Sequence, residues 1–497
     1  MSDLNRRELL GVLAAGGAAS LLVGAEPQRQ RDLVRAENDK PGSDDWQLTY
    51  TRIDPKTKYR SPMIEGYVSR QSVRAGDKLD FFVSTDPATA FTIDVYRLGY
   101  YQGKGGRHVL RLGPFAGKPQ PTPPVGDERL RECRLEKCTT LETPKDWLSG
   151  VYLGKLTATK HRYQSYVIFI VRDDRPADFL FQCSDNTWQA YNAWPNSYSL
   201  YHNDRKDGKV LVSGVRVSFD RPYGKYVQIM DNPLSQGSGE FLLWEFPLAF
   251  WMEKDGYDVT YCSNADVHND VGCLTRARGF LSVGHDEYWS RQQFDNVLAA
   301  VKAGVNTCFL SGNTCCFVAP YSPCSAGVAN RMITRAGRYG GVRPKEEKYM
   351  AELTAEAPSE ATLIGAQTVS PFNGSGDWIV TKPEHWIFEG TKMKKGDRIP
   401  GLVGWEFHGE PADIPGLEVL AEGPTWTGGD AESHYTATIY PGPKGNFVFN
   451  ASTIFWSQGI ASPPGHMPPI SHHGRPHGPD VRVQRITNNV FERIRAG

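Results

Sequence analysis

Between Phe179 and Leu310, short apolar runs (Phe179 to Cys183, Tyr257 to Tyr261, Gly279 to Val283 and Val305 to Leu310) alternate with helical patterns that stop at Gly256 and Gly304. Strands spaced by helices in this way need crossover connections, and crossovers specify a parallel sheet with helices on its faces. The runs end on polar residues: Ser184-Asp185-Asn186 after the first, His285-Asp286-Glu287-Tyr288 directly after Gly284, and Ser311-Gly312-Asn313 after Leu310. Ligands of open α/β sheets sit outside the carboxyl ends of the strands, so these termini are expected to form one site. Its catalytic candidates are His285, Glu287, Asp185 and Asn313. A packing role stands beside this reading: Asp286 is placed to cap the helix that Ser290 opens, with His285 and Tyr288 filling space. Gly445 to Asn450, ending at Ser452-Thr453, reads as a further strand, and Asp480 to Arg495 as a closing helix; from Asn313 to about Pro400 the pattern is one of short strands and long loops.

Upstream the pattern changes. From Trp46 to Asp174, runs such as Leu79 to Val83, Phe91 to Tyr96 and Tyr166 to Val171 alternate or stay apolar with almost no helical period, which is the signature of strands. This predicts an α+β multidomain fold: a β-sandwich over 46–174 and an α/β domain over 175–497, divided at Arg172-Asp-Asp-Arg-Pro176. A length of 497 residues suits separate cores.

Arg6-Arg7 precedes a modest apolar run, Gly11 to Gly24. That is the pattern of a Tat export signal over 1–25, followed by a linker over 26–45, and it predicts a periplasmic or secreted protein. The run falls short of the roughly 20 apolar residues of a spanning helix, so no stable membrane insertion is expected. The 56 basic and 56 acidic residues cancel, which removes nucleic acid as a partner and leaves a small-molecule substrate. Nine cysteines are an odd number without zinc spacing. Local bridges (Cys133 with Cys138, Cys262 with Cys273, two among Cys308, Cys315, Cys316 and Cys324) and a thiol nucleophile at Cys315 or Cys316 all remain open. His466, His472, His473 and His477 lie in a proline-rich tract that reads as a surface loop or as a metal site.

Gly66-Tyr-Val-Ser-Arg70, Tyr96-Arg-Leu-Gly-Tyr-Tyr101, Ser184-Asp-Asn-Thr-Trp-Gln-Ala-Tyr-Asn192, Gly256-Tyr-Asp-Val-Thr-Tyr261, His285-Asp-Glu-Tyr288 and Gly404-Trp-Glu-Phe407 follow one another along the chain. With them, the chain from about Ile64 onward resembles proteins similar to the large (beta) subunit of bacterial N,N-dimethylformamidase. The resemblance implies a β-sandwich followed by a glutamine-amidotransferase-like (flavodoxin-like) α/β domain. It also implies a mononuclear iron held by two tyrosines and one glutamate. Carried onto this chain, Tyr288 is the matching metal tyrosine and Glu406 the matching glutamate. The second tyrosine position reads Phe246, so that Tyr191 or Tyr261 would have to substitute in space, or the metal differs or is absent.

The function implied is a metal-assisted hydrolase acting on an amide C–N bond. Tyr288 and a carboxylate would activate water, Glu287 or Glu406 would take its proton, His285 would orient or protonate the leaving amine, and Asn313 or the backbone N–H groups after Gly284 would face the oxyanion. A cysteine at the strand-to-helix elbow is excluded, since His285-Asp286 occupies it. The rival reading is an exported carbohydrate- or ligand-binding protein without catalysis, whose aromatic face is Trp188, Tyr191, Trp194, Tyr198 and Tyr201.

Overall fold

The computed structural model of the chain describes residues 33–226, 228, 231–372, 374–426, 432–466 and 478–497. The export signal and His472, His473 and His477 lie outside the described residues. Among the described residues no helix is long and apolar enough to cross a membrane.

The amino-terminal part is built from strands because its apolar residues recur with period two. In Lys78–Ser84 the side chains of Leu79, Phe81 and Val83 are buried while Lys78 is exposed. This strand pairs antiparallel with Glu65–Val68 and Lys137–Glu142. A second sheet has the order Ser72–Arg74, Gln164–Arg172, Gly150–Ala158, Ala90–Leu98, Gly106–Ala116. Ile93, Val95, Leu156, Val167 and Phe169 of the second sheet share one apolar cluster with Leu79, Phe81 and Val83 of the first. Each such buried side chain contributes about 1.5–3 kcal/mol against the chain entropy.

After Arg172 the chain enters the nine-stranded sheet that carries the site. Its order is Val259–Ser263, Ala177–Cys183, Ala277–His285, Asn306–Gly312, Phe447–Asn450, Glu432–Pro441, Glu418–Trp426, Ser375–Ile379, Arg398–Gly404. The strands from Val259–Ser263 through Phe447–Asn450 are mutually parallel, and every one corresponds to an apolar run expected to be a strand. The rest of the sheet is antiparallel. That half grows from the segment after Asn313, where strands interrupted by register shifts carry no clean period. The helix Arg291–Ala303 is capped by Ser290, whose side chain accepts from the Gln293 amide at 3.0 Å, and it ends at Gly304 with φ 109°. Asp286 is therefore not the cap.

A buried ion pair ties the two parts together. Arg97, on Ala90–Leu98, donates to both carboxylate oxygens of Glu253 at 2.8 and 2.9 Å, and both side chains are essentially inaccessible. Asn38 donates to the same carboxylate at 2.8 Å, and Tyr101 donates to Glu37 at 2.8 Å. The stretch read as a linker is thus packed from Leu33 onward, since residues 33–38 are helical and Val34 belongs to the largest core.

All nine cysteines are free thiols, so the local bridges left open by the sequence are not made. Cys133 packs with Trp194 and Tyr67, whereas Cys138 turns away and donates to the Phe81 carbonyl. Cys262 and Cys273 serve as small hydrophobes of one core.

Candidate active site

Parallel register brings the polar strand ends to one edge: Gly284 lies opposite Ser311 and His285 opposite Gly312. Gly284 has φ 69°, and a side chain there would strike Trp244, so glycine alone lets the chain turn and present His285. At Gly312 a Cβ would come within 2.1 Å of the Glu406 carbonyl oxygen. The absence of a side chain is what lets the loop carrying Glu406 close over this edge. His408 pins that loop. Its Nε2 accepts from the Thr314 amide at 3.1 Å, which leaves Nδ1–H to donate to Asn450 at 3.2 Å, and burial pushes its pKa down to about 4, keeping the ring neutral.

Successive residues then point to different places. Glu287 lines the cleft, and behind it His285 Nε2 lies 2.8 Å from Glu406 and 3.5 Å from Glu287. Its Nδ1 lies 3.3 Å from Glu240. Asp286, between them, turns into the sheet and accepts from Gln182, Ser282 and Asn264. Asp185 accepts from the Asn264 amide at 2.7 Å and does not line the main cleft, whereas the carboxylates within reach of His285 are Glu240, Glu287 and Glu406. Burial pushes its carboxyl up to about 8.

Two phenols converge on Glu287. Tyr191, the last residue of the helix Asp185–Tyr191, donates to Oε2 at 2.7 Å. Tyr201 lies 3.2 Å from the same oxygen and 2.6 Å from the Tyr191 oxygen. Asn313, held at φ 52°, donates to Glu287 Oε1 at 3.0 Å, so its amide orients this carboxylate. Tyr288 sits one step back: its phenol is buried, donates to Tyr201 at 2.7 Å and accepts from the Arg335 guanidinium at 2.9 Å. Tyr261 is spent on Glu253 at 3.0 Å, and Phe246 is buried in the core against Trp46. Beside Tyr191, the phenol nearest Glu287 is Tyr201, supplied by a loop.

Tyr201, Glu240 and Arg335 were not among the expected site residues. Tyr201 had a signal, since it belongs to the aromatic run after Trp188. Glu240 follows Ser-Gly in an aperiodic stretch, and nothing local marks it.

Glu287, Glu406 and Glu240 are buried around a single imidazole, an excess of acid that a cation would relieve. Burial alone would depress the His285 pKa, but Glu406, with Glu240 and Glu287, holds it well above its ordinary value. Burial and the charge of Glu287 push Glu406 up to about 7 against the pull of His285. Burial keeps Tyr191 and Tyr201 protonated, well above the usual phenol range. The oxygens of Tyr191, Tyr201 and Glu287 make a compact phenol, phenol and carboxylate set. The thiols of Cys315 and Cys316 are raised by burial and are not activated nucleophiles.

The cleft in front of these groups has a volume of about 420 Å³. The model of the family "N,N-dimethylformamidase beta subunit-like, C-terminal" matches residues 92–470, from the second amino-terminal sheet across the junction and through the whole site. The chain belongs to this family. Comparison with curated proteins returns no match. The matched residues include Tyr191, Tyr201 and Glu287, with Glu406 and His285 beside them.

Proposed function

We propose that the protein is a metal-assisted hydrolase that cleaves an amide C–N bond. The observation that carries this is the meeting of Tyr191, Tyr201 and Glu287 within hydrogen-bond distance of one another, beside a histidine paired with Glu406, in a dimethylformamidase-like chain. Tyr191, Tyr201 and Glu287 would hold the metal, which when bound supplies Lewis acidity and a more acidic water. Asn313 fixes the Glu287 carboxylate. Glu406, titrating near neutrality, is the group suited to take a proton from the attacking water. His285, bridging Glu240 and Glu406, then protonates the departing amine nitrogen, and Glu240, paired with Nδ1, leaves Nε2 as the nitrogen that carries that proton.

The β-sheet pair before Arg172 is read as a sandwich and the parallel half of the large sheet as the amidotransferase-like unit, with His285 where that fold carries its nucleophile. Arg6-Arg7 is read as a Tat signal, and export blocked by lysine at both positions is its test. A glycan-binding role is not favoured: Trp188 and Trp194 are buried, and Tyr198 is covered by Arg129 and Arg131.

The deciding experiment is elemental analysis of the purified protein together with amine release from simple amides. About one metal per chain, lost in Glu287→Gln along with the activity, is expected. Metal-free protein that cleaves no amide would overturn the reading.

A further inference from the structure

The geometry points to a substrate larger than a dialkylformamide: an uncharged amide bearing a flat apolar group of aromatic size, seated against Trp405 and Phe372. This rests on the amide-hydrolase reading and narrows it. At about 420 Å³ the cleft lies within the range of roughly 300–1,000 Å³ typical of sites that enclose drug-sized ligands. A dimethylamide occupies only a small part of such a space.

Beside Glu240, Glu287 and Glu406 the lining includes Tyr59, Leu211, Tyr223, Phe372 and Trp405, all partly exposed, so that part of each ring and of the leucine side chain stays open to the cleft. An aromatic ring entering between them would remove this surface from water and stack. Trp405 is held at φ 56°, a left-handed conformation unusual for so bulky a residue, immediately before Glu406. Strain of this kind persists where a side chain is being aimed, and here it aims an indole at the cleft beside the proton-transferring carboxylate.

Charge narrows the class further. Arg338 lines the cleft but is paired with Glu346 at 3.1 Å, and Lys225 is paired with Asp231 at 2.6 Å. His202 shares a hydrogen bond with Ser199 at 2.7 Å. Among the described lining residues this leaves no unpaired Lys or Arg to receive a substrate carboxylate. A substrate with a carboxylate near the scissile bond is therefore disfavoured.

The test compares amides with the same kind of leaving amine: N,N-dimethylformamide, N-benzyl-N-methylformamide and the latter carrying a carboxylate on the ring, each assayed with metal-replete protein. The benzyl amide should exceed the dimethyl amide in kcat/KM by about tenfold or more, within the span a hydrophobic pocket can discriminate, and the carboxylated form should lose that gain. Trp405→Ala should lower the benzyl-to-dimethyl ratio by about tenfold, and so should Phe372→Ala, a change remote in sequence from Glu406. Dimethylformamide cleaved as well as the benzyl amide, or a ratio that neither substitution moves, overturns the proposal and leaves the hydrolase reading standing. Cleavage of none of these amides overturns both.

Discussion

The Tyr191 phenol lies 2.7 Å from the Glu287 carboxylate, across 96 residues of sequence. Tyr191 closes the short helix after the first parallel strand and Glu287 follows the central one, so their meeting depends on the register of adjacent strands that run in the same direction. A slip in that register would separate the candidate metal-holding oxygens. The site is for this reason a property of the sheet rather than of any one loop.

Phenol substitutions should divide according to position. Tyr191→Phe and Tyr201→Phe each remove an oxygen beside Glu287 and should strip most of the bound metal, read by elemental analysis. Tyr288→Phe should retain the metal, because that phenol serves Tyr201 and Arg335 instead. Its cost should appear in stability, about 1–3 kcal/mol by urea unfolding, since it leaves the buried Arg335 short of an acceptor. Metal lost in Tyr288→Phe and kept in Tyr201→Phe would reverse the assignment.

Glu240 and His285 should separate kinetically. His285→Gln removes the proton donor, and a fall in kcat of about 10²–10⁴-fold is expected. Glu240→Gln keeps a hydrogen-bond partner for Nδ1 but not the charge. It should lower kcat by about tenfold, one step of roughly 1.4 kcal/mol in the barrier, with KM nearly unchanged. A Glu240→Gln enzyme with full kcat and a raised KM would make Glu240 a substrate contact rather than a positioning residue.

What could be read from the sequence followed periodicity. The parallel strands announced themselves as apolar runs with polar ends, and His285, Glu287, Asn313 and Glu406 were picked out by standing at those ends or in a matching motif. Asp185 was misplaced by the same reasoning. It too follows a strand, but it begins a helix and turns onto the Asn264 amide, away from the cleft. Tyr288 was carried over from the motif that Glu287 precedes, and in the fold its phenol bonds to Tyr201 and Arg335, because neighbours on an extended backbone point apart. Tyr201 and Glu240 enter from irregular segments, whose course is set by tertiary contacts that leave no local period.

The ion pair between Arg97 and Glu253 should prove costly to break from one side. Arg97→Met leaves a carboxylate buried with Asn38 and Tyr261 as its remaining donors, and a loss of about 3–5 kcal/mol is expected in chemical unfolding. Replacing both partners with apolar residues should cost less than the sum of the single changes. Additive losses would show that each residue acts through its other contacts and that the pair itself contributes little to docking the two parts of the chain.

Stability should fall with pH through Asp185. Burial raises this carboxyl from 3.8 to about 8, with the Asn264 amide opposing the shift. The folded state therefore holds a proton that the unfolded chain releases once the pH passes the ordinary aspartate value, and between about 4 and 8 the folded form binds more protons than the unfolded form. Stability contributed by this group is complete below the unfolded pKa and declines as pH rises toward the folded one, by at most roughly 1.4 kcal/mol per unit. Other buried acids, Glu240, Glu245 and Asp286, are raised as well, so wild type alone would not isolate the effect. Asp185→Asn retains an oxygen for the Asn264 amide and removes the titration. Urea midpoints measured at about pH 5 and pH 8 should show the Asn variant gaining on wild type as the pH rises. A difference between wild type and variant that stays constant over that interval would mean that Asp185 is ionised in the folded protein and that its charge is compensated at the amide.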